Sequence, residues 1–399
     1  MKPMLRFKAE DGSAFPDWEK MTLGDVGSVA MCKRVFKEQT SSAGDVPFFK
    51  IGTFGSKPDA YISRELFEAL KKNYPYPKNG TVLLSASGTV GRQVVYQGED
   101  AYYQDSNIVW LEHDDSVTDG FLEQFYSVVQ WQGLEGSTIR RLYNRTILST
   151  TFYRPSLPEQ RKIADLLSTV DDVIAMQQAE VDAWEQRKKG VMQKLFSQEV
   201  RFKADDGSEF PDWEERTSVE LCSRMIGGGT PSTSNTDNYN GDISWISSSD
   251  LDVDNITTVR RTRFITEGAI ATSATKKIKP GSIAVVLRVG VGKVALLDRE
   301  TCTSQDFISL EDATGDTKFI AYMLSARMQR EAVRAQGTSI KGIPATRFKK
   351  LTYRIPSSII EQRKIADLLS TIDDVIVEAK AELAKWQKLK KGLLQQMFV

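Results

Sequence analysis

The chain has 399 residues, a length that suits about two to three domains rather than a single core. Its 40% hydrophobic and 27% charged residues place it among folded globular proteins, and its 53 basic and 53 acidic side chains cancel, so a polyanion would have to be met by local patches. No apolar run approaches the roughly 20 residues of a membrane span, and the opening MKPMLRFKAEDG has no secretory core, so a cytoplasmic protein is expected.

From the N-terminus, residues Arg6 to Glu19 read RFKAEDGSAFPDWE, and Arg201 to Glu214 repeat them with only Glu10 and Ala14 changed. A second block, Glu159 to Ile174 (EQRKIADLLSTVDDVI), returns as Glu361 to Ile376 with the single change of Val170 to Ile372. Between these blocks the stretches near 20–155 and 215–356 differ in composition and local pattern. The frame is duplicated and its contents have diverged. Weaker matches at a constant offset survive inside: Gly80 to Leu84 with Gly281 to Val285, Val90-Gly91-Arg92 with Val291-Gly292-Lys293, Gln104-Asp105 with Gln305-Asp306, and Gly136 to Arg140 with Gly337 to Lys341. Thr81 to Leu84 and Ile283 to Leu287 read as strands, and Phe121 to Gln132 and Lys318 to Gln336 as helices, so each half is an α+β module.

Ser156-Leu157-Pro158-Glu159 and Ser358-Ile359-Ile360-Glu361 have the form of a capping box and open two helices. Apolar positions then step by four and three through Ile163, Leu167, Val170, Ile174, Gln177, Val181, Trp184, Lys188, Val191 and Leu195, and through Ile365, Leu369, Ile372, Ile376, Ala379, Leu383, Trp386, Lys390, Leu393 and Met397. This 3.5-residue period points to a coiled-coil seam rather than a helix on a globular core, with Gln177 against Ala379 as a register marker, and about 40 residues span roughly 60 Å. The expected plan is a first module over 1–155, a helix over 156–197, a second module over 198–356 and a helix over 357–399. The helices run antiparallel in a pseudo-two-fold arrangement that separates the modules and brings the chain ends together.

Catalytic chemistry is not legible. His113, in Glu112-His113-Asp114-Asp115, reads as a solvated loop residue, and Cys32, Cys222 and Cys302 as buried thiols without metal-ligand spacing. Gly290-Val291-Gly292-Lys293 lacks the outer residues of a P-loop, and Gly227-Gly228-Gly229-Thr230-Pro231 reads as a mobile loop. Asp171-Asp172 and Asp373-Asp374 suit solvation better than metal binding, and Asp105 and Asp306 suit turns. Positive charge recurs at matching places: Arg92 with Lys293, and Arg140, Arg141 and Arg145 with Lys341, Arg347, Lys349 and Lys350. Arg260, Arg261, Arg263, Lys276 and Lys277 add to the second module only. A single basic cluster is ordinarily a solvated face, but recurrence in two unlike modules favours phosphate contacts. Gln93, Gln104, Arg288, Gln305, Thr338 and Ser339 are the candidates for base readout.

Two copies of P-x-x-x-E-Q-R-K-I-A-D-L-L, one residue looser before Ser358, each follow G-[ST]-x-[IV]-[KR] and introduce a heptad helix. Phe210-Pro211-Asp212-Trp213-Glu214, Gly228-Gly229-Thr230-Pro231-Ser232 and Gly241-Asp242-Ile243-Ser244-Trp245-Ile246 complete a chain that resembles the specificity subunits of type I restriction-modification systems over essentially its whole length. The first module departs from the pattern in having no G-G-T-P-S stretch after Trp18. The resemblance implies two target-recognition domains, each reading half of a split double-stranded DNA sequence. It also implies spacer helices that dock two methyltransferase subunits through positions such as Ile163, Leu167, Val170, Ile174, Trp184, Ile365, Leu369, Ile372, Ile376 and Trp386. S-adenosylmethionine would belong to the methyltransferases, and ATP and Mg to restriction subunits, with neither cofactor nor metal in this chain, which would itself be non-catalytic. Such a geometry is physically apt, since half-sites about 34 Å apart need a rigid spacer. The competing expectation is a protein-interaction adaptor built from the same duplicated parts.

Overall fold

The computed structural model describes residues 3–132, 141–335 and 342–398. The chain divides into two compact units, residues 1–177 with 382–399 and residues 178–381. In the first, the elements run β1 (Glu19–Thr22), α1 (Leu23–Val26), β2 (Gly27–Ala30), β3 (Val46–Phe49), β4 (Tyr61–Ile62), α2 (Arg64–Asn73), β5 (Val82–Ser85), β6 (Gln93–Val95), β7 (Tyr102–Tyr103), β8 (Ile108–His113), α3 (Asp119–Tyr126), α4 (Asn144–Leu148), β9 (Thr151–Arg154) and the start of α5 (Leu157–Phe196). An antiparallel sheet has the order β2-β8-β5-β6, a smaller one the order β4-β3-β7 with β3 and β7 parallel, and β1 pairs with β9.

The second unit follows the same plan through β10 (Trp213–Thr217), β11 (Cys222–Gly227), β12 (Ile243–Ile246), β13 (Phe264–Ile265), α6 (Glu267–Ala271), β14 (Lys277–Ile278), β15 (Ile283–Val286), β16 (Val294–Leu296), β17 (Thr301–Thr303), β18 (Phe307–Ala313), α7 (Thr317–Ala335), α8 (Ala345–Lys349), β19 (Thr352–Pro356) and the start of α9 (Ile359–Phe398). Its sheets are β11-β18-β15-β16, β13-β12-β17-β14 and β10-β19. The expected strands are present as β5 and β15, both fully buried centres of their sheets because every residue is apolar or small. The helix expected to reach Gln132 stops at Tyr126, and Trp131 folds back to stand 5.8 Å from the Tyr126 ring. The three thiols are buried and unpaired, and burial pushes the Cys32 thiol up to about 12.

Both long helices begin where expected and each has 40 residues, but the capping box is not what fixes them. Ser156 Oγ is buried without a hydrogen-bond partner among the described residues. Glu159 turns away from its own helix end. Its fully buried carboxylate accepts from Arg6 Nε and Nη2 at 3.0 and 2.8 Å and from the Trp18 indole at 3.0 Å. The second copy repeats this with Glu361, Arg201 (3.1 and 2.9 Å) and Trp213 (3.1 Å). Gln160 and Gln362 satisfy the backbone around them, from Thr118 N and to Pro155 O in one copy, from Asp316 N and to Pro356 O in the other. Lys162 and Lys364 reach the carbonyls of Lys8 and Lys203. The two repeated blocks are thus the two halves of one lock, made twice.

The apolar stripe lies on a globular core as well as on a partner helix, which corrects the pure coiled-coil reading. In the first unit Ile163 and Leu167 are buried with Leu84, Phe121 and Phe152 of the module and with Leu394 and Met397 of α9. In the second, Ile365 and Leu369 are buried with Val285 and Phe319 and with Leu195 of α5. Val170, Ile372 and Ile376 are also buried, whereas Ile174, Trp184 and Trp386 are half-exposed. The two helices run antiparallel in both units: Asp171 of α5 meets Lys390 of α9, and Lys188 of α5 meets Asp373 of α9.

These pairs overturn the solvated reading of Asp171 and Asp373, and they explain why lysines occupy seam positions. Lys188 and Asp373 are 5% and 4% exposed. Asp373 also accepts from Tyr322 Oη at 2.7 Å, and Lys188 donates to Asp254 O. Every charge-bearing atom in this cluster therefore has a partner, the condition under which a buried ion pair is tolerable. The chain ends are adjacent, with Leu5 N donating to Gln396 O at 3.1 Å. His113 is not a loop residue. It ends β8, its side chain is 15% exposed, and it stands 3.3 Å from Asp119 at the start of α3. The hydrogen bond with the Asp119 carboxylate raises its pKa above the ordinary value, outweighing burial.

Lys188→Ala is expected to destabilise the protein by about 3–5 kcal/mol by stranding Asp373, while Lys188→Met with Asp373→Leu costs much less; chemical denaturation of both variants checks this. Because the His113 pKa is raised on folding, its contribution is complete below about pH 6.5 and is lost as pH rises through the folded value. Unfolding curves between about pH 6 and pH 8 should show that loss in the wild type and a flattened dependence in Asp119→Asn.

Candidate nucleic-acid interface

Strand topology gathers one set of loops in each unit. Because β12 and β17 are parallel, their C-terminal ends share an edge, and the end of β15 and the start of β18 are paired at Val286 and Phe307. Onto this edge come Arg288, Gln305 and the Gly228-Gly229-Thr230 loop, joined to one another: the Thr230 hydroxyl donates to Gln305 Oε1, Arg288 Nη2 donates to Gln305 O, and Arg288 Nε lies 3.7 Å from Asp306. Lys293 Nζ donates to Ser248 O at 2.8 Å, in the segment that follows β12. Lys276, exposed and without an ion-pair partner among the described residues, precedes β14 beside β17.

The glycine loop is fixed rather than mobile. A Cβ at Gly228 would lie 2.1 Å from Ser304 O, and one at Gly229 would lie 2.4 Å from Thr275 N. Gly229 N donates to Thr303 O and its carbonyl accepts from the Trp245 indole, so these amides are used internally and are not a phosphate cradle.

The first unit builds the same edge from the ends of β3, β5 and β7 and the start of β8. Arg92 donates to Phe54 O at 2.9 Å and Thr89 Oγ1 at 3.2 Å, and Arg141 Nη2 donates to Ser106 O at 2.9 Å. Gln93 lies half-buried on β6, its Nε2 3.5 Å from Ser127 Oγ.

Gln104 and Gln305 do not correspond, although the sequence aligns them. Gln104 N donates to Phe49 O at the end of β3, and the residue that donates to the matching Ile246 O at the end of β12 is Ser304. Ser85 pairs with Ile108 and Val286 with Phe307, so Ser106 and Asn107 stand where Gln305 and Asp306 stand. The first unit accommodates a longer turn by placing Ser106 in the left-handed region at φ 51°. Gln104 therefore has a structural task, accepting from Ile51 N at 2.9 Å, while Gln305 is exposed.

Other candidates fall outside this edge or are already neutralised. Lys277 is held between Glu267 and Glu300, with its pKa raised by those two hydrogen bonds. Arg347, on α8, donates to Glu331 at 2.6 Å, a carboxylate that Arg327 and Arg334 also approach. Arg145 is exposed on α4. Arg140, Thr338, Ser339 and Lys341 lie outside the described residues. Arg263 was read only as added charge, without its stacking on an aromatic ring, and Arg34 was missed in the sequence. Arg263 lies over the Trp245 ring at 4.6 Å and donates to Ser247 Oγ at 2.5 Å while pairing with Asp250; Arg34 lies over Phe36, which is 56% exposed, at 5.4 Å. The basic–aromatic run Lys33-Arg34-Val35-Phe36-Lys37 was the available signal for the second.

Among the described residues no cluster of histidine, cysteine and carboxylate side chains could hold a metal ion, and no helix is long and apolar enough to cross a membrane. What these edges offer are guanidinium and ammonium groups anchored on backbone carbonyls, with amide and hydroxyl groups between them. This is the composition of a surface for phosphates and base edges.

Comparison with known proteins agrees. The sequence pattern of the type I restriction modification DNA specificity domain matches twice, over residues 16–183 and 211–385, and the chain belongs to that family. It is 54% identical over 146 residues to a chain named a type I restriction enzyme specificity subunit from Haemophilus influenzae, and 28% identical over 209 residues to the MjaIX specificity subunit of Methanocaldococcus jannaschii. These matches take in 36% and 51% of this chain, and 38% and 48% of the relatives' own length. The MjaX specificity subunit of the same archaeon matches at 22% identity over 97% of this chain and 94% of its own. The fold resembles the crystal structure of a type I restriction-modification S subunit from M. genitalium, with a TM-score of 0.62 at 16% identity over 100% and 99% of the two chains.

Gln104→Ala is expected to cost about 1–3 kcal/mol by leaving Ile51 N unpaired, whereas Gln305→Ala stays within about 0.5 kcal/mol of the parent. Thermal or denaturant unfolding of the two variants tests whether the sequence-matched glutamines do different work.

Proposed function

We propose that this chain is the DNA sequence-specificity subunit of a type I restriction-modification complex, with residues 1–155 and 198–356 as recognition domains that each read one half of a split double-stranded target. The observation that carries the reading is a single plan built twice on a duplicated frame, with unlike polar groups on the equivalent loop edge. Different half-sites require different base-contacting surfaces on one scaffold. Arg92, Arg141, Arg145, Lys276 and Lys293 serve as phosphate contacts, and Gln93, Gln305, Thr338 and Ser339 are the readers, with Arg140 and Lys341 adding charge beside them. Lys277 and Arg347 contribute less, since carboxylates already hold them.

The spacer helices, 156–197 and 357–399, set the distance between half-sites and dock two methyltransferase subunits. Because Ile163, Leu167, Ile365 and Leu369 are consumed in packing, docking falls to the outer faces of the same helices. The chain performs no catalysis itself. In this reading the methyltransferases bring S-adenosylmethionine, restriction subunits bring ATP and Mg, and the assembly works in the cytoplasm.

Exchanging residues 20–155 with 215–356 is expected to reverse the order of the methylated half-sites while leaving assembly with the methyltransferases intact, read by methylome sequencing and by size of the purified complex. An assembled complex that binds random duplex DNA without preference would instead favour a protein-interaction adaptor.

A further inference from the structure

The two modules hold a guanidinium at one shared point, but they take it from different places in the chain. In the first, Leu142 N donates to Ala86 O; in the second, Ile343 N donates to Leu287 O. Across this equivalent bridge the neighbouring residues form two facing positions, Ser87 with Arg141 and Arg288 with Gly342. The arginine has changed sides. Its head group has not, because Arg141 Nη2 donates to Ser106 O and Arg288 Nη2 to Gln305 O, the carbonyls that the strand registers make equivalent.

Space favours the alternation. A Cβ at Gly342 would lie 3.2 Å from Arg288 Cγ, 3.2 Å from Leu287 O and 3.5 Å from Arg288 Cα, so the second module's own arginine crowds the position that carries arginine in the first. Opposite Arg141 stands a serine, whose hydroxyl donates to Asn107 Oδ1 at 2.9 Å. Structural support alone does not require a guanidinium here, since Arg288 remains 57% exposed, and the Gln305 carbonyl with the Asp306 carboxylate at 3.7 Å from Nε occupies only part of a five-donor group.

We propose that Arg141 and Arg288 are one functional arginine, a sequence-independent DNA phosphate contact common to both modules, which moves Arg288 from the base readers to the backbone contacts. The inference rests on the DNA-reading function above and adds to it. A group retained at one point in two modules whose surrounding faces differ serves what their two half-sites share, and that is the backbone. Carbonyl anchoring leaves the remaining guanidinium N–H groups for a bidentate phosphate contact.

The test uses the full chain in its assembled complex and duplex DNA recovered by selection from a randomised pool, with mismatched duplexes beside it. Arg141→Ser and Arg288→Ser should each weaken binding about ten-fold or more and lower the slope of log affinity against log salt by about 0.9, equally for matched and mismatched DNA. Arg288→Ser with Gly342→Arg, which moves the arginine to the side used by the first module, should restore both affinity and slope. So should Arg141→Gly with Ser87→Arg in the first module. Unfolding curves for each variant separate lost contact from lost fold. Selective binding by the wild type with unchanged affinity and slope in the single variants overturns the proposal alone, as does a loss confined to one base position. A wild-type complex that selects no sequence overturns the DNA-reading function and the proposal with it.

Discussion

A buried carboxylate at the first turn of each long helix is the constraint on which the rest depends. Glu159 and Glu361 are fully buried, and a lone charge there would be expensive. Each is instead met by two N–H groups along one edge of a guanidinium and by an indole N–H, and the arginine and tryptophan come from the short block that opens the repeat. The first turn of the helix and the block are thereby joined through one buried ion pair in each copy. Trp18 and Trp213 carry the coupling inward, each standing edge-on to the phenylalanine, Phe121 or Phe319, that anchors its module's core. Near-identity of the two blocks within one chain follows from this reciprocity, because a change in one partner strands the other.

The helix pair is held by a second kind of charge. Asp171 with Lys390 and Asp373 with Lys188 stand where a continuous apolar seam would otherwise run. Hydrophobic packing alone tolerates a slip of the heptad register, whereas a slipped helix would leave Lys188 and Asp373 buried and unmatched and would part the half-exposed Asp171 and Lys390. Apolar burial supplies the adhesion and the ion pairs choose the alignment.

Elements with a strong local signature were legible in the sequence: the duplicated blocks, the 40-residue helices, the central strands at Val82 and Ile283, and the closeness of the chain ends. What could not be read depended on partners far along the chain. Glu159 satisfies the spacing of a capping box, yet its partner Arg6 is 153 residues away and outcompetes the local amide. Asp373 looks like one of two adjacent surface acids until Lys188, 185 residues distant, is placed beside it. The match of Gln104 with Gln305 failed for a different reason. One extra residue in a turn, absorbed at Ser106 by a left-handed backbone, shifts spatial equivalence without disturbing the letters. Charge was visible at Lys277 and Arg347, but the carboxylates that spend it were not.

The crowding between Arg288 and Gly342 also restricts how such a module can change over generations. A side chain that grows at one facing position displaces the one opposite unless that one has first shrunk. A lineage that moves its arginine across the bridge must therefore pass through an ancestor with small residues on both sides or through one strained by two large ones. Retargeting a module by stepwise mutation crosses that valley, while importing a whole module by recombination brings both positions together and avoids it.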